Sequence, residues 1–322
     1  MDAPLDPTTG YSRGTINSGC VRNRGYELEI TATPVLTRDF RWNTTLTWSK
    51  NDNKILSLAE GADENQVIST VGTASIIGRV GGTTGDLWGY KLVRDPEGNV
   101  IIGDNGLPEQ ADEIEYVGTA YADWKAGWYN EFSYKGFKLG ILLDGQVGGT
   151  IYSMSFHKMM EQGKLTQSLN GRLPGTEYYM DANDPRIAAA GYTPQSGMYM
   201  IAPGVVRNDD GTFSPNTKVV TIESFYKEYY RRANVETNSF DASFLKIREI
   251  RLEYELPKKV LEKSPFSKAS IAVYGRNLWC FTDYPLFDPE SVALDGSSMV
   301  SGIETGSLPT TRTFGFNLNL TF

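Results

Sequence analysis

Few residues of this chain are of types that do covalent or metal chemistry, and those few are scattered. The single histidine, His157, sits in YSMSFHKMM, and the two cysteines are Cys20 and Cys280. A Ser-His-Asp or Cys-His scheme would have to recruit His157, yet neither a G-x-S-x-G nor a cysteine signature accompanies it. Without Cys or carboxylate partners it reads as a loop or packing residue. Cys20 and Cys280 lie far apart and read as free thiols. With 39 acidic residues, carboxylate pairs arise by chance, so Asp288 and Glu290 in YPLFDPES read as loop-ordering. DPEGNVIIGD (95–104) lacks the D-x-D-x-D-G ligand order of a calcium loop and reads as a turn between two short strands. GRVGGTTGD (78–86) is glycine-rich, but no Lys-Ser/Thr pair and no strand-to-helix context follow, so it reads as a flexible loop and not as a phosphate cradle. The chain is therefore expected not to be an enzyme, with no cofactor and no metal site.

Non-covalent chemistry is better represented. The composition holds 18 Tyr, 14 Phe and 6 Trp, and many of these rings fall in long polar segments. Trp88 and Tyr90 lie in DLWGYKL, Tyr178 and Tyr179 lie together, and Tyr229 and Tyr230 close FYKEYY. Rings mixed with Asp, Asn and Arg suit stacking on sugar faces or on peptide side chains, while polar neighbours hydrogen-bond a ligand. They equally suit packing of loops against one another or against a partner. FYKEYYRRAN (225–234) fits a short helix with Phe225, Tyr229 and Arg232 along one side, and fits an alternating strand almost as well.

The elements that must carry these loops are strands with a period of two. In TRTFGFNLNLTF (311–322), Phe314, Phe316, Leu318, Leu320 and Phe322 share one face, and Thr313, Gly315, Asn317, Asn319 and Thr321 share the other. The same format recurs at 26–35, 40–49, 124–134, 137–147, 244–256 and 270–282, with a phase slip near Arg248 that predicts a bulge. Such strands are long for a globular sheet and suit a tilted crossing of a bilayer. Their connections alternate in length: 35–39, 134–136 and 257–268 are short, whereas 50–123, 148–243 and 283–310 are long. Short turns at one end and long loops at the other is the layout of a transmembrane barrel; a soluble sandwich has short hairpins at both ends. Aromatics near strand ends, such as Trp42, Trp124, Tyr134 and Phe281, suit the two interfacial girdles. No apolar run of 18 residues exists, which excludes membrane helices only. The formal charge of -8 argues against a nucleic-acid partner. The opening MDAPLDPTTGYSRG has no basic and apolar leader, so either the protein stays in the cytoplasm or the chain is not the whole protein.

Several blocks resemble one family. S-F-L-K-I-R-E at 243–249, the Leu256-Pro257 pair, G-R-N at 275–277, Y-P-x-F-D-P-E at 284–290 and the closing R-T-F-G-F-N-L-N-L-T-F look like the C-terminal end of the SusC/RagA-type TonB-dependent outer-membrane transporters of Bacteroidetes. Upstream, R-N-x-G-x-E-L at 22–28 and the S-Y-K-G-F pair at 133–137 are similar to the family's strands. The acidic, glycine-containing turn of some relatives is missing from EIEYVGTAYADWKA (113–126), and no metal site is carried over there. The resemblance implies that residues 1–322 form an all-β partial barrel domain, about seven strands of a 22-stranded antiparallel transmembrane β-barrel, with long loops on the extracellular side. It implies that the N-terminal extension, plug and earlier strands lie outside this chain, so that Met1 falls within an extracellular loop. It further implies import of oligosaccharides or oligopeptides, a SusD-like surface lipoprotein as partner, TonB acting through the N-terminal region, and contact with outer-membrane lipid. Phe314, Phe316, Leu318, Leu320 and Phe322 would then form the C-terminal assembly signal. The competing expectations are a receptor or adhesin barrel without transport and a soluble all-β carbohydrate-active enzyme.

Overall fold

The computed structural model describes residues 2–4, 13–15, 19–59, 64–290, 293–295 and 298–322; the expectation for Met1 lies outside them. Seven strands pair in chain order into one antiparallel sheet: β1 (Gly19–Leu36), β2 (Phe40–Leu58), β3 (Trp124–Tyr134), β4 (Phe137–Val147), β5 (Phe244–Glu255), β6 (Lys268–Phe281) and β7 (Thr313–Thr321). All seven expected strands are present. Among the described residues the outer edges of β1 and β7 are unpaired in this sheet.

The register explains the two faces. One row across the sheet reads Phe316, Val273, Leu252, Leu139, Phe132, Trp42 and Val35, every member apolar. The adjacent row reads Asn317, Ala272, Glu253, Lys138, Ser133 and Arg41, nearly all polar. Because side chains alternate, each row stays on its own side, and the apolar side is broadly exposed: Phe316 keeps 76% of its surface. A broadly exposed apolar sheet face suits lipid, not water. The bulge falls at Arg248, which pairs on neither side, between Ile247 and Glu249. It restores the phase, so that Ile247 and Leu252 share the outer face.

Turn chemistry fixes the short ends. Lys135 and Gly136 both take positive φ, 45° and 88°, as a two-residue hairpin of type I′ geometry requires. The Thr37 N–H donates to the Phe40 carbonyl at 2.8 Å and closes the first turn. A short helix, Lys258–Leu261, occupies the third.

Two strands run further than the alternation predicts. β1 begins at Gly19 and β2 continues to Leu58, so residues 19–25 are strand and not a preceding loop. Asn51 to Lys54 are polar on both faces, and this hides the continuation from a pattern reading; the side chains of Asn51 and Asn53 donate to Asn23 Oδ1. About ten residues suffice to cross the bilayer, so the remainder projects beyond the apolar band.

The buried core lies in the long loops. Ala74, Ile76 and Leu87 come from the loop after β2, Tyr152 and Val235 from the loop after β4, and Val300 and Ile303 from the loop after β6; they pack as one cluster. The loops thus fuse into a single body. GRVGGTTGD is anchored beside it at both ends, with Gly78 and Asp86 buried, while Val80 and Gly81 between them stay exposed.

Candidate binding surface on the fused loops

Two helices organise the largest loop: α1 (Met154–Glu161) and α2 (Ile222–Tyr229). Ser153 caps α1 through the Phe156 N–H, and Thr221 caps α2 through the Ser224 N–H, each satisfying a donor that the helix itself leaves open. FYKEYYRRAN therefore contributes a helix, not a strand. Phe156, Met160, Ile222, Phe225 and Tyr226 form its buried seam.

The sequence-selected aromatics fall in two places. Tyr178, Tyr229 and Tyr230 are half-buried around α2: Tyr229 stacks on Phe225 at 5.2 Å, and Tyr230 stacks on Tyr226 at 6.0 Å. Burial pushes the Tyr230 hydroxyl well above its usual range, and the neighbouring tyrosines add to the shift. Tyr179 is half-buried next in sequence. Trp88 lies elsewhere, edge-on to Tyr116 at 6.0 Å and under the Arg79 guanidinium at 5.2 Å, and Tyr90 lies where the backbone meets Asn234. The structure brings Tyr178, Tyr229 and Tyr230 together and leaves Trp88 and Tyr90 in the neighbouring loop.

Beside α2 opens a cleft of ≈ 620 Å³, lined by Glu161, Arg172, Met198, Ile222, Glu223 and Lys227 among others. Its rim mixes both charges around an aliphatic floor. Glu223 pairs with Lys227 at 2.5 Å, and the hydrogen bond from that ammonium holds the Glu223 carboxyl below its usual range. Pattern reading did not find this cleft, because its residues come from four separate segments and share no spacing.

His157 is fully buried on α1, and its Nδ1 lies 2.6 Å from the Tyr230 carbonyl. A carbonyl can only accept, so Nδ1 carries the proton. Burial pushes the His157 pKa down, against the pull of that carbonyl and of Glu161. The ring packs α1 against the end of α2, and its Nε2 lies 3.8 Å from the Glu161 carboxylate one turn on, a partner that its sequence setting did not suggest. DPEGNVIIGD is a turn held by Asp95, which accepts from the Asn99 N–H at 2.8 Å. Cys20 and Cys280 are free and exposed.

A second assembly lies on the polar side of the sheet. Lys246 Nζ donates to Asp288 at 2.6 Å and also to Glu290. Arg248 reaches Asp144 at 2.5 Å and Glu290 at 2.6 Å. Burial alone would raise the Asp288 carboxyl, but hydrogen bonds from Lys246 and from the Glu290 N–H outweigh it and hold the pKa below the usual range. Asp288 and Glu290 thus order their loop, by strapping it to β4 and β5. The loop-ordering role was legible in the sequence; the partners, some 40 positions or more away, were not. Among the described residues no group of His, Cys, Asp and Glu is arranged to hold a metal. What the surface offers is rings, charges and hydrogen-bonding groups.

No family model matches the chain. It is 26% identical to the TonB-dependent receptor P3 of Formosa agariphila, across 99% of this chain and 30% of that protein. It is 24% identical to receptor P26 of the same organism, across 100% of the chain and 31% of that protein. The TonB-dependent receptor SusC of Bacteroides thetaiotaomicron is 26% identical over 151 residues, 43% of this chain. The solved RagAB peptide importer in its open-open state has the same fold over all of this chain, with a TM-score of 0.66 at 16% identity, and the match covers 31% of that structure's chain. The chain spans about a third of the length of the Formosa receptors it matches. Strand order and register give the chain the fold of part of a large antiparallel β-barrel, and the curated proteins it is similar to are named TonB-dependent receptors, SusC among them.

Proposed function

We propose that this chain supplies the C-terminal wall and the extracellular loops of a TonB-dependent importer of oligomeric nutrients, glycans or peptides. The observation that carries this reading is the fusion of the three long loops into one packed body at one end of the sheet, directly above a charged inner wall. Loops packed into a common core hold a binding surface in fixed shape, and a polar wall beneath leads a hydrated ligand onward. The short turns face the periplasm and the loops face outward. A SusD-like lipoprotein closes over the loops, and TonB, acting through an N-terminal region and plug beyond this chain, provides the energy. The outer edges of β1 and β7 pair with the remaining strands of the barrel. Trp88, Tyr90, Tyr178, Tyr179, Tyr229 and Tyr230 contribute rings to ligand capture, and Phe314, Phe316, Leu318, Leu320 and Phe322 act as the C-terminal assembly signal. Binding is shared among many contacts, with no covalent step.

The test is uptake of labelled oligosaccharide and oligopeptide pools by cells carrying the intact receptor, with and without TonB. Import of one pool should require both proteins, and Trp88→Ala should weaken it at unchanged barrel content in the membrane. Ligand binding at the cell surface with no TonB-dependent accumulation would overturn the transport reading in favour of a receptor or adhesin.

A further inference from the structure

On the outer face of β2 and β3 lies a polar pair where the pattern calls for apolar residues. Thr44 and Asn130 oppose each other across the two strands, in a row that continues through Ile141 and Ile250. From Tyr134 at the turn, four residues of tilted strand place this row roughly 10 Å into the apolar band. An unpaired carboxamide at that depth is costly, because hydrocarbon offers no hydrogen-bond partner.

The two acceptor oxygens, Asn130 Oδ1 and Thr44 Oγ1, are both satisfied, and in a reciprocal way. Trp42 Nε1 on β2 donates to Asn130 Oδ1 on β3 at 3.0 Å, and Trp128 Nε1 on β3 donates to Thr44 Oγ1 on β2 at 2.9 Å. Each indole precedes the polar residue of its own strand by two positions, as Trp42-Asn43-Thr44 and Trp128-Tyr129-Asn130. The two strands therefore carry the same W-x-(T/N) unit, related by a local two-fold axis across the ladder. The indoles roof the pair, leaving Asn130 only 5% exposed while Trp128 stays open to the outside.

We propose that this reciprocal tryptophan clamp sets the register of β2 against β3. The need for such a device follows from connectivity. β1–β2 and β3–β4 are joined by tight turns whose geometry dictates pairing, whereas β2 and β3 are joined through residues 59–123, a connection too long to do so. Alternation forbids a slip of one residue, since that would turn every apolar side chain inward. A slip of two keeps the faces correct, so alternation does not oppose it and side-chain matching between the strands can. In the native register each indole is diagonal to its acceptor; a slip of two either puts both indoles directly opposite the acceptors or moves them four positions away. Neither slip preserves both bonds.

The experiment uses the intact receptor in its outer membrane, with Cys20→Ser and Cys280→Ser to remove the native thiols. Thr45→Cys with Tyr129→Cys reports the native register, in which these residues oppose each other on the inner face. Thr45→Cys with Gly127→Cys or with Glu131→Cys reports the two slips, since a disulfide forms only between closely opposed strand positions. In the parent barrel the native cross-link should dominate. With Trp42→Phe and Trp128→Phe together, which keep the rings and remove both N–H donors, the ratio of slipped to native cross-link should rise about tenfold, the scale set by two lost hydrogen bonds. Thr44→Asn with Asn130→Thr, which exchanges the acceptors but leaves one beside each indole, should retain the parent ratio. An unchanged ratio in the double Phe variant overturns the proposal, and so does an exchange variant that slips as much as the Phe variant. If the double Phe variant fails to accumulate, normal accumulation of the exchange variant supports the clamp and equal failure of both refutes it.

Discussion

Replacing Lys246 by Met tests whether the ionic strap holds its loop. Lys246 is 4% exposed and Asp288 3%, and the 2.6 Å contact between them has almost no access to water. Lys246→Met keeps the aliphatic stem and deletes the charge, so the Asp288 carboxylate stays buried with the Glu290 N–H, at 2.9 Å, as its main remaining donor. Breaking a buried pair from one side costs about 3–5 kcal/mol; the surviving donor and the Arg248 contact to Glu290 at 2.6 Å place this case near the lower end. About 3 kcal/mol raises the open population of the strap roughly 100-fold. Hydrogen exchange of backbone amides at 282–290 in the purified receptor reads that change, with the barrel ladder as internal reference. Lys246→Met with Asp288→Leu should open the strap far less than the two single changes combined, since no orphaned charge remains. Acid gives an independent check of sign. Because the folded pKa of Asp288 is depressed, its contribution is complete above the ordinary carboxyl pKa of about 4 and is lost as pH falls through the lower folded value. Exchange at 282–290 that stays within about threefold of the parent in Lys246→Met would refute the strap.

Ile250→Arg should destabilise the folded barrel by about 2–4 kcal/mol, read by heat-modifiable gel mobility, because its row lies roughly 10 Å into the apolar band. Asn317→Arg should be near neutral, because its row includes Glu253 and faces the polar side; equal losses would contradict the assignment of faces. Glu304 is fully buried at the start of α1 and accepts from Ser153 Oγ at 2.6 Å, Ser155 Oγ at 2.7 Å and the Ser307 N–H at 2.8 Å. Glu304→Ala removes the buried acceptor that joins these donors, at about 1–3 kcal/mol, and should speed proteolysis in 148–165 without changing barrel content, while Glu304→Gln should do so less; identical rates in both variants would count against it.

The sheet was legible in the sequence because one physical constraint acts on every residue of it. Lipid on one side and water on the other force the period of two, and even the bulge at Arg248 announces itself as a break in phase. Where the constraint ends, so does the signal. Asn51 to Lys54 continue β2 with water on both faces and look like loop. Asn130 lies in the apolar row of β3, but a phase read from Trp124, Trp128, Phe132 and Tyr134 steps over it, and the indole that justifies it comes from Trp42, 88 positions away. The loops obey no period at all. Their core joins Leu87 to Tyr152 and Ile303 through contacts whose sequence separation no local pattern encodes. The aromatics stood out by type, yet whether a ring packs or waits for a ligand depends on what lies over it.

The two halves of the molecule are consequently stabilised by different means. In the sheet, apolar side chains point away from the protein, so burial among themselves contributes little, and the ladder of backbone hydrogen bonds with its cross-strand locks must carry specificity. In the loop body, burial supplies the driving force, and buried polar groups sit where separate elements meet: Glu304 joins the loop after β6 to the start of α1, His157 joins α1 to the end of α2, and Asp288 joins its loop to β5. Each of these groups is fully or nearly buried, so each fits only one arrangement of the elements around it. Ring orientation at Tyr229 and Tyr230 therefore depends on α1 being held through His157, since the Tyr230 carbonyl accepts from that ring. A substitution at His157 can then alter the loop surface without touching the barrel, whereas a substitution in the outer face alters the amount of barrel without touching the loops.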